Sequence, residues 1–322
     1  MTVSIIIPVY NVSDYIENCM MSVMNQTYDD IECIIVDDAT QDDSIDKCYR
    51  MIQAYQGPIK FSILHHGKNR GLSAARNTGA EAATGEYIFY LDGDDELTND
   101  CIEKLMRPVI KDSSIEMVTG NYMRSADGCM IGSFERQTLI QQEKDFNSLE
   151  AVRNFYFRRQ LRQSAWNKLI KRDFLLRYHL SFKEGLLWED TLWIFFVVKK
   201  LSHLYTIPDV TYYYVKRPRS ITTGMVKHEE LIRHWCLVYE EIAHHFTEEE
   251  RGREANFHLK GLCFKCISYS YNSGLRSVAK SYIQVLQTDS CSIDILVFSS
   301  VIYLSKFSLA RAAFRYIARK LI

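Results

Sequence analysis

Residues 87–95 read YIFYLDGDD: an apolar run that passes directly into the carboxylates of Asp92, Asp94 and Asp95. The apolar part has the length and composition of a buried strand. Carboxylates this close together repel one another, and a divalent cation with a preference for oxygen ligands, such as Mg²⁺ or Mn²⁺, relieves that repulsion. The stretch by itself is compatible with two interpretations: a metal site, or a polar junction that begins the following helix.

The same succession of apolar strand and polar end recurs through the first 120 residues. The predicted strands are Val3–Pro8, Ile31–Asp37, Phe61–His65, Tyr87–Leu91 and Met117–Asn121, and the predicted helices are Tyr15–Met24, Ser44–Tyr55, Leu72–Ala83 and Ile102–Ile110. This alternation predicts an α/β fold with a mostly parallel sheet flanked by helices. The polar residues that follow the strands, including Asp38 and His66, then meet in one crevice, where open α/β sheets bind ligands.

The second half of the chain has a different rhythm. Ala126–Gly128 predicts a hairpin turn, Asp190–Leu201 an amphipathic helix and Val210–Val215 a strand. Beyond about residue 225 the pattern is helical, with one apolar face formed by Trp235, Val238, Ile242 and Phe246. We therefore expect a helical extension after the sheet.

Composition is that of a globular protein, with 47% hydrophobic and 25% charged residues, and a net charge of −1 gives no reason to expect nucleic-acid binding. The nine cysteines are scattered through apolar runs, which favours buried thiols and a reducing compartment. Val3–Val9 already has strand character, so we expect no signal peptide. Ile295–Leu304 is shorter than the ~20 residues that a membrane span needs. These features predict a soluble or peripheral protein.

Three further polar residues have both a structural and a functional interpretation. Asp38 can cap the next helix, or it can accept a hydrogen bond from a nucleotide base or ribose. Arg76 can be a solvated surface residue or a phosphate ligand. Asp190 can cap the helix that it begins, or it can be a general base beside Trp188.

Five motifs, in order, resemble those of the family 2 glycosyltransferases, the large inverting family with the GT-A fold. They are Ser4–Asn11, Ile35–Asp42, Asn69–Asn77, Tyr90–Asp95 and Leu187–Asp190. The resemblance implies a GT-A domain over residues 1–222, with a nucleotide-binding half (1–121) and an acceptor-side half (122–222). A helical C-terminal region (223–322) follows.

The resemblance also implies residue roles. The nucleotide-sugar would be bound by Pro8, Val9, Tyr10, Asp38, Arg76, Asp92 and Gly93. Asp94, assisted by Asp95, would hold Mn²⁺ or Mg²⁺, and Asp190 would be the general base. Candidate acceptor contacts are Trp166, Lys168, Trp188 and Glu189. The sequence departs from the family only after the paired aspartates, where Ala39-Thr40 replaces the common Gly-Ser.

The implied function is an inverting hexosyl- or N-acetylhexosaminyltransferase. It would use a nucleoside diphosphate sugar, with UDP as the expected nucleotide, to extend a glycan or lipid-linked glycan of bacterial polysaccharide type. Two alternatives remain. A metal-dependent phosphohydrolase or nucleotidyltransferase would also need acidic metal ligands, but not the arrangements around Asp38 and Asp190. A degenerate, non-catalytic nucleotide-sugar-binding module would be expected to lack a metal-binding or base carboxylate.

The C-terminal residues predict an amphipathic, basic helix. Lys260–Ile322 contains nine Lys or Arg and two Asp. Apolar residues recur at helical spacing beside a stripe of arginines: Phe307, Ala310, Phe314, Ile317 and Leu321, with Arg311, Arg315 and Arg319. This pattern is typical of a helix that lies on anionic lipid, or of a terminal helix that packs on its own core. The first interpretation predicts a cytoplasmic protein that is peripheral on the inner face of the cell membrane.

Overall fold

The computed structural model describes residues 1–126, 129–130, 140–216, 228–246 and 262. Its strands are β1 (Val3–Val9), β2 (Ile31–Asp37), β3 (Lys60–His65), β4 (Tyr87–Tyr90), β5 (Glu96–Leu97), β6 (Met117–Ala126), β7 (Cys129–Met130), β8 (Lys144–Phe146), β9 (Lys168–Lys171) and β10 (Leu204–Lys216). Its helices are α1 (Ile16–Met24), α2 (Ser44–Ala54), α3 (Leu72–Ala82), α4 (Cys101–Lys111), α5 (Leu149–Phe157), α6 (Arg172–Arg177), α7 (Glu189–Lys200) and α8 (His228–His244).

All described strands belong to one mixed sheet with the order β3-β2-β1-β4-β9-β6-β10-β5, to which β7 and β8 add at β6 and β10. The α/β class predicted from the sequence is confirmed. The half formed by β3, β2, β1 and β4 is parallel, as expected. The other half is mixed, because β9 runs antiparallel to both β4 and β6.

Strand β1 shows why the sheet is central: all seven of its residues are buried. Ile5 and Ile7 belong to the core cluster that contains buried residues of α1 and α4. Ile6 belongs to the cluster on the other face, where its side chain lies against Gly79 of α3. Successive side chains of a strand point to opposite faces, so a continuous apolar run is what helices on both faces require. The hydrophobic core therefore lies in two layers, one on each side of the sheet.

The direction of β9 determines which residues reach the crevice. Parallel strands β1 and β4 present their carboxyl ends at one edge of the sheet. Strand β9 is antiparallel to β4, so its first residue, Lys168, lies at that same edge, opposite Thr119 of β6. The acceptor-side half therefore contributes the start of one strand, as well as loops, to the crevice.

Helix α8 shares the core on the α7 side of the sheet. The predicted apolar face is confirmed, because Trp235, Val238, Ile242 and Phe246 are all buried there. The boundary that we placed between residues 222 and 223 stays a prediction, but α8 packs directly on α7. Within the described ranges, no helix is long and apolar enough to cross a bilayer. The predicted amphipathic helix after residue 306 lies outside those ranges.

The described cysteines agree with the expectation of buried thiols. Cys19, Cys33, Cys48 and Cys101 are buried and free, and Cys236 is free and partly buried. Burial raises the pKa of each of the four buried thiols, which leaves them protonated and unreactive. Strands β6 and β7 pair antiparallel. The turn predicted at Ala126–Gly128 includes residues outside the described ranges and stays a prediction.

Candidate active site

The acidic motif forms a tight turn directly after β4, in which the Asp95 amide donates to the Asp92 carbonyl at 3.0 Å. One carboxylate oxygen from each of Asp92, Asp94 and Asp95 lies within 4.8 Å of the others. Such a set of oxygen donors fits Mg²⁺ or Mn²⁺. The turn therefore brings together the residues from which the sequence predicts a metal site.

Asp95 is the most enclosed of the three carboxylates, with 1% of its surface exposed. The Tyr212 hydroxyl donates to one of its oxygens at 2.7 Å, and the Val215 amide donates to the other at 2.8 Å. Burial and the charges of Asp94 and Asp92 raise the pKa of Asp95 well above its ordinary value. Strand β10 thus fixes a carboxylate whose negative charge a bound cation would stabilise.

Gly93 lets this turn approach the end of β1. A Cβ atom at Gly93 would lie 2.9 Å from the Pro8 carbonyl oxygen, closer than side chains come to backbone. Two residues predicted to contact the nucleotide-sugar are therefore adjacent. Val9 and Tyr10 were predicted to contact the nucleotide-sugar beside Pro8. Val9 is fully buried in the core, whereas Tyr10 is 38% exposed where β1 ends.

Arg76 connects the acidic turn to the acceptor-side half. Its guanidinium donates to Asp92 at 2.7 Å and to Glu189 at 2.7 Å, and its Cζ lies 5.2 Å from the centre of the Phe182 ring. Only 2% of Arg76 is exposed. Burial disfavours its charge, but Asp92 and Glu189 more than compensate, so the pKa of Arg76 is raised. The solvated surface arginine that the sequence left open is excluded.

Glu189 and Asp190 begin α7 next to Arg76. The Asp190 carboxylate accepts a hydrogen bond from the Thr191 amide at 2.8 Å. Burial and the charge of Asp190 raise the pKa of Glu189 to about 7, while Arg76 opposes them. Burial also raises the pKa of Asp190, against the influence of Arg76 and the Thr191 amide. A proton acceptor with a raised pKa is suited to general-base chemistry near neutral pH.

The loop before α7 is held by α8. Trp188 has a left-handed backbone with φ of 64°, and its ring stacks on Trp235 with centroids 5.0 Å apart. The Leu187 amide donates to Nδ1 of His234 at 3.0 Å. A bulky residue keeps such a conformation only when its surroundings enforce it. The structure thus gives Trp188 a contact with α8, and its predicted acceptor role stays a prediction.

We predict that Trp235→Ala lowers the free energy of unfolding by about 3–5 kcal/mol, because it removes a buried ring that packs on Trp188 and α7. Chemical denaturation measures the change. The matched control is Leu237→Ala on the same helix, where the side chain is 46% exposed and a change within about 0.5 kcal/mol is expected. Equal unfolding free energies for the Trp235 variant and the unchanged protein would contradict the packing role of α8.

Asp38 organises the loop that leads into α3. Its carboxylate accepts hydrogen bonds from the Arg70 amide at 2.8 Å, the Gly71 amide at 2.7 Å and His66 Nδ1 at 2.7 Å. Gly71 precedes the helix with φ of 89°, a conformation that favours glycine. A carboxylate has about four lone-pair positions, so one remains for the nucleotide contact predicted for Asp38.

Trp166 and Lys168 line a cleft beside the site, which we call the basic cleft. Its lining residues are Thr119, Gly120, Asn121, Tyr122, Ile140, Arg159, Gln160, Leu161, Arg162, Ser164, Trp166, Asn167 and Lys168. The Trp166 ring stacks on Tyr212, which is the residue that donates to Asp95, with centroids 4.6 Å apart. The basic cleft is therefore one aromatic ring away from the acidic turn.

Several of these contacts join residues that sequence reasoning did not connect. The Arg76–Glu189 and Tyr212–Asp95 contacts span 113 and 117 residues. Asn77 makes two hydrogen bonds with the backbone of Phe182, at 2.9 and 2.8 Å, which fasten α3 to the acceptor-side half. Arg76, Asn77, Asp95 and Glu189 lie within the recognised motifs. Tyr212 and Phe182 lie outside them and carried no signal of their own.

The chain belongs to glycosyl transferase family 2, whose family model matches residues 4–169. The putative glycosyltransferase EpsH of Bacillus subtilis (strain 168) is 35% identical over 182 residues, which are 56% of this chain and 50% of that protein. The glycosyltransferase GlyA of Streptococcus pneumoniae serotype 4 is 31% identical over 193 residues, 58% of this chain and 27% of that protein. In both cases the aligned part is half or less of the relative's own length.

Two solved structures share the fold. The S. aureus TarS 1–349 complex with UDP-GlcNAc has a TM-score of 0.62 at 19% identity, covering 84% of this chain and 73% of that one. The mannosyltransferase PcManGT from Pyrobaculum calidifontis, in complex with GDP-Man and Mn²⁺, has a TM-score of 0.60 at 15% identity, covering 96% and 82%. The likeness at these identities concerns the fold, and it confirms the predicted GT-A architecture.

Proposed function

We propose that this protein transfers a sugar, with inversion, from a nucleoside diphosphate sugar to a hydroxyl group of a glycan or lipid-linked glycan. The observation that carries the proposal is the network in which Arg76 joins the acidic turn at Asp92 to the start of α7 at Glu189 and Asp190. Donor-side and acceptor-side groups are thereby held together. The fold relatives were solved with UDP-GlcNAc and with GDP-Man and Mn²⁺, which supports a nucleotide-sugar donor.

On the donor side, Asp94 and Asp95 are the proposed ligands of Mn²⁺ or Mg²⁺. Such an ion, when bound, supplies positive charge that stabilises the departing diphosphate. Asp92 and Gly93 face the ribose in this proposal, and Arg76 keeps Asp92 oriented. UDP remains the nucleotide that we expect, with Pro8, Tyr10 and Asp38 around its base. Val9, which was also predicted there, is fully buried in the core.

On the acceptor side, we assign the general base to Asp190. Its carboxylate takes the proton of the acceptor hydroxyl, and the hydroxyl oxygen forms a bond to the anomeric carbon. The bond from that carbon to the phosphate oxygen breaks, and its electron pair leaves with the nucleoside diphosphate. A single displacement of this kind inverts the anomeric configuration. Glu189 positions Arg76, while Trp166, Lys168 and Trp188 are the proposed acceptor-side contacts.

We predict that kcat/KM decreases at low pH, and that the midpoint of this decrease lies above the ordinary pKa of an aspartate, because burial raises the pKa of Asp190. The base must be ionised, so activity is lost as the pH falls through this raised pKa. Lys168 favours the ionised form of Asp190. Lys168→Met should therefore move the acid limb to higher pH. Lys171 lies on the same strand, and its ammonium donates to the Ser113 carbonyl. Lys171→Met should leave the acid limb in place. An unmoved limb in the Lys168 variant would contradict this assignment.

The experiment that tests the proposed function is a panel of nucleotide sugars, each incubated with the full chain and Mn²⁺ or Mg²⁺. We expect metal-dependent release of nucleoside diphosphate from one donor, accelerated by an acceptor glycan. Release of inorganic phosphate or pyrophosphate would instead indicate a phosphohydrolase or a nucleotidyltransferase. Binding of a donor without turnover under any of these conditions would indicate a non-catalytic nucleotide-sugar-binding module.

A separate part of the proposal concerns location: residues from about 306 onward attach the protein to the inner face of the cell membrane. The support is the stripe of Arg311, Arg315 and Arg319 beside Phe307 and Phe314. Basic residues near an anionic surface contribute about 1 kcal/mol each. We predict salt-sensitive co-sedimentation of the full chain with anionic vesicles, and its loss after truncation at Ser305. Equal sedimentation of the truncated and full chains would refute the attachment.

A further inference from the structure

The basic cleft concentrates positive charge beside the proposed base. Among the described residues that line it, Arg159, Arg162 and Lys168 are cationic and none is acidic. Lys168 is 1% exposed, and its side-chain hydrogen bond in the described part of the chain is to the Ser164 hydroxyl at 3.3 Å. A buried ammonium has three donors to satisfy, so Lys168 retains capacity for a further acceptor.

The guanidinium of Arg162 is held by the aromatic residues of the cleft. The Cζ of Arg162 lies 4.3 Å from the centre of the Tyr122 ring and 4.6 Å from that of Trp166. Arg162 also donates to the Tyr122 hydroxyl. Arg159 also lines the cleft, and its backbone is left-handed with φ of 58°. A guanidinium that is already oriented in this way loses little conformational freedom when it binds a ligand.

The charges in the cleft are also poorly stabilised by solvent. Burial and the nearby Arg162 lower the pKa of Lys168 to about 7, against the influence of Asp190. Burial lowers the pKa of Arg159 as well. A bound anion would stabilise both charges. Lys168 and Asp190 also influence each other's pKa, because each favours the charged form of the other.

We propose that the basic cleft binds a phosphate group carried by the acceptor, so that the acceptor substrate is a phosphate-bearing glycan or lipid-linked glycan. The inference rests on the proposed function, because it takes Asp190 as the base that meets the acceptor hydroxyl. Three cations converge on the cleft, and a phosphate offers them more oxygens and more charge than a single carboxylate does. The donor's own phosphates belong at the acidic turn, on the other side of Trp166 and Tyr212.

The test measures binding of glucose 1-phosphate to the full chain by calorimetry, with the donor site already saturated by nucleoside diphosphate and Mn²⁺. We expect glucose 1-phosphate to bind, with an affinity that falls as salt rises. Methyl glucoside, which lacks the phosphate, should bind at least tenfold more weakly. Tighter binding of methyl glucuronide than of glucose 1-phosphate would overturn the assignment of a phosphate.

Variants locate the binding. Arg162→Gln and Arg159→Gln should each lower the affinity for glucose 1-phosphate roughly tenfold or more, the usual loss for one hydrogen bond to a charged group. The control is Arg158→Gln, an exposed neighbour that does not line the cleft and should bind as the unchanged protein does. Thermal unfolding of each variant shows whether it is folded, and the Arg159 variant keeps the test valid if Arg162→Gln is not.

The two proposals fail in different ways. A chain that binds no nucleoside diphosphate in the presence of Mn²⁺ would refute the proposed function. A chain that binds nucleoside diphosphate, but binds glucose 1-phosphate equally well with and without Arg162 and Arg159, would refute only the role of the basic cleft.

Discussion

Asp190→Asn is expected to retain binding of nucleoside diphosphate and to lower the rate of sugar transfer by about 10²–10⁴-fold, the usual contribution of a well-placed general base. Asparagine keeps the size of the side chain, and its carbonyl oxygen can still accept from the Thr191 amide. It cannot take a proton from the acceptor hydroxyl. The loss should therefore fall on transfer alone.

Calorimetry with the nucleoside diphosphate selected by the donor panel, together with a transfer assay, separates the two effects. The control is Asp173→Asn, an exposed aspartate of α6 that pairs with Arg177 on the surface, and its transfer rate should match that of the unchanged protein. If Asp190→Asn lost nucleotide binding as strongly as transfer, Asp190 would have to act on the donor.

Asp94→Ala should show the opposite pattern, with loss of the metal-dependent part of nucleoside diphosphate binding. Changing a residue that only supports a metal ligand lowers metal affinity by about 10–100-fold, so removal of a ligand should cost at least that much. Asp95 remains as a ligand, but a single carboxylate offers the cation fewer oxygen atoms and less charge than the pair does.

The measurement is calorimetric titration of nucleoside diphosphate with and without Mn²⁺. Asp46→Ala, an exposed aspartate of α2, is the control and should bind as the unchanged protein does. A Mn²⁺-dependent affinity in Asp94→Ala equal to that of the control would move the proposed metal site away from the acidic turn.

The sequence predicted the parts of the fold that have local causes. Continuous apolar runs placed β1 to β4 within about one residue of their observed ends, and helical spacing placed α1 to α4 equally well. The direction of β9 could not be predicted, since the sequence of a four-residue strand does not show whether it pairs parallel or antiparallel with its neighbours. Only its pairing with Phe89 and Val118 shows that Leu169 belongs to an antiparallel strand.

The same distinction holds for the site. Asp92, Asp94 and Asp95 were predicted as a cluster because they are neighbours in the chain. The contact between Arg76 and Glu189 was not, because nothing in either segment indicates which distant charge it will meet. Glu189 was assigned to the acceptor, whereas the contact that the structure shows is the ion pair with Arg76 at 2.7 Å.

The position of Arg76 has a consequence for how the two substrates affect each other. One planar group contacts Asp92 on the donor side and Glu189 on the acceptor side, and neither contact can shift without moving the guanidinium. With the donor and the acceptor bound as proposed, binding at one side would change the free energy of binding at the other. Such coupling is reciprocal: if bound donor raises the affinity for the acceptor by some factor, bound acceptor raises the affinity for the donor by the same factor. The ion pairs of Arg76 would then set the cooperativity between the substrates.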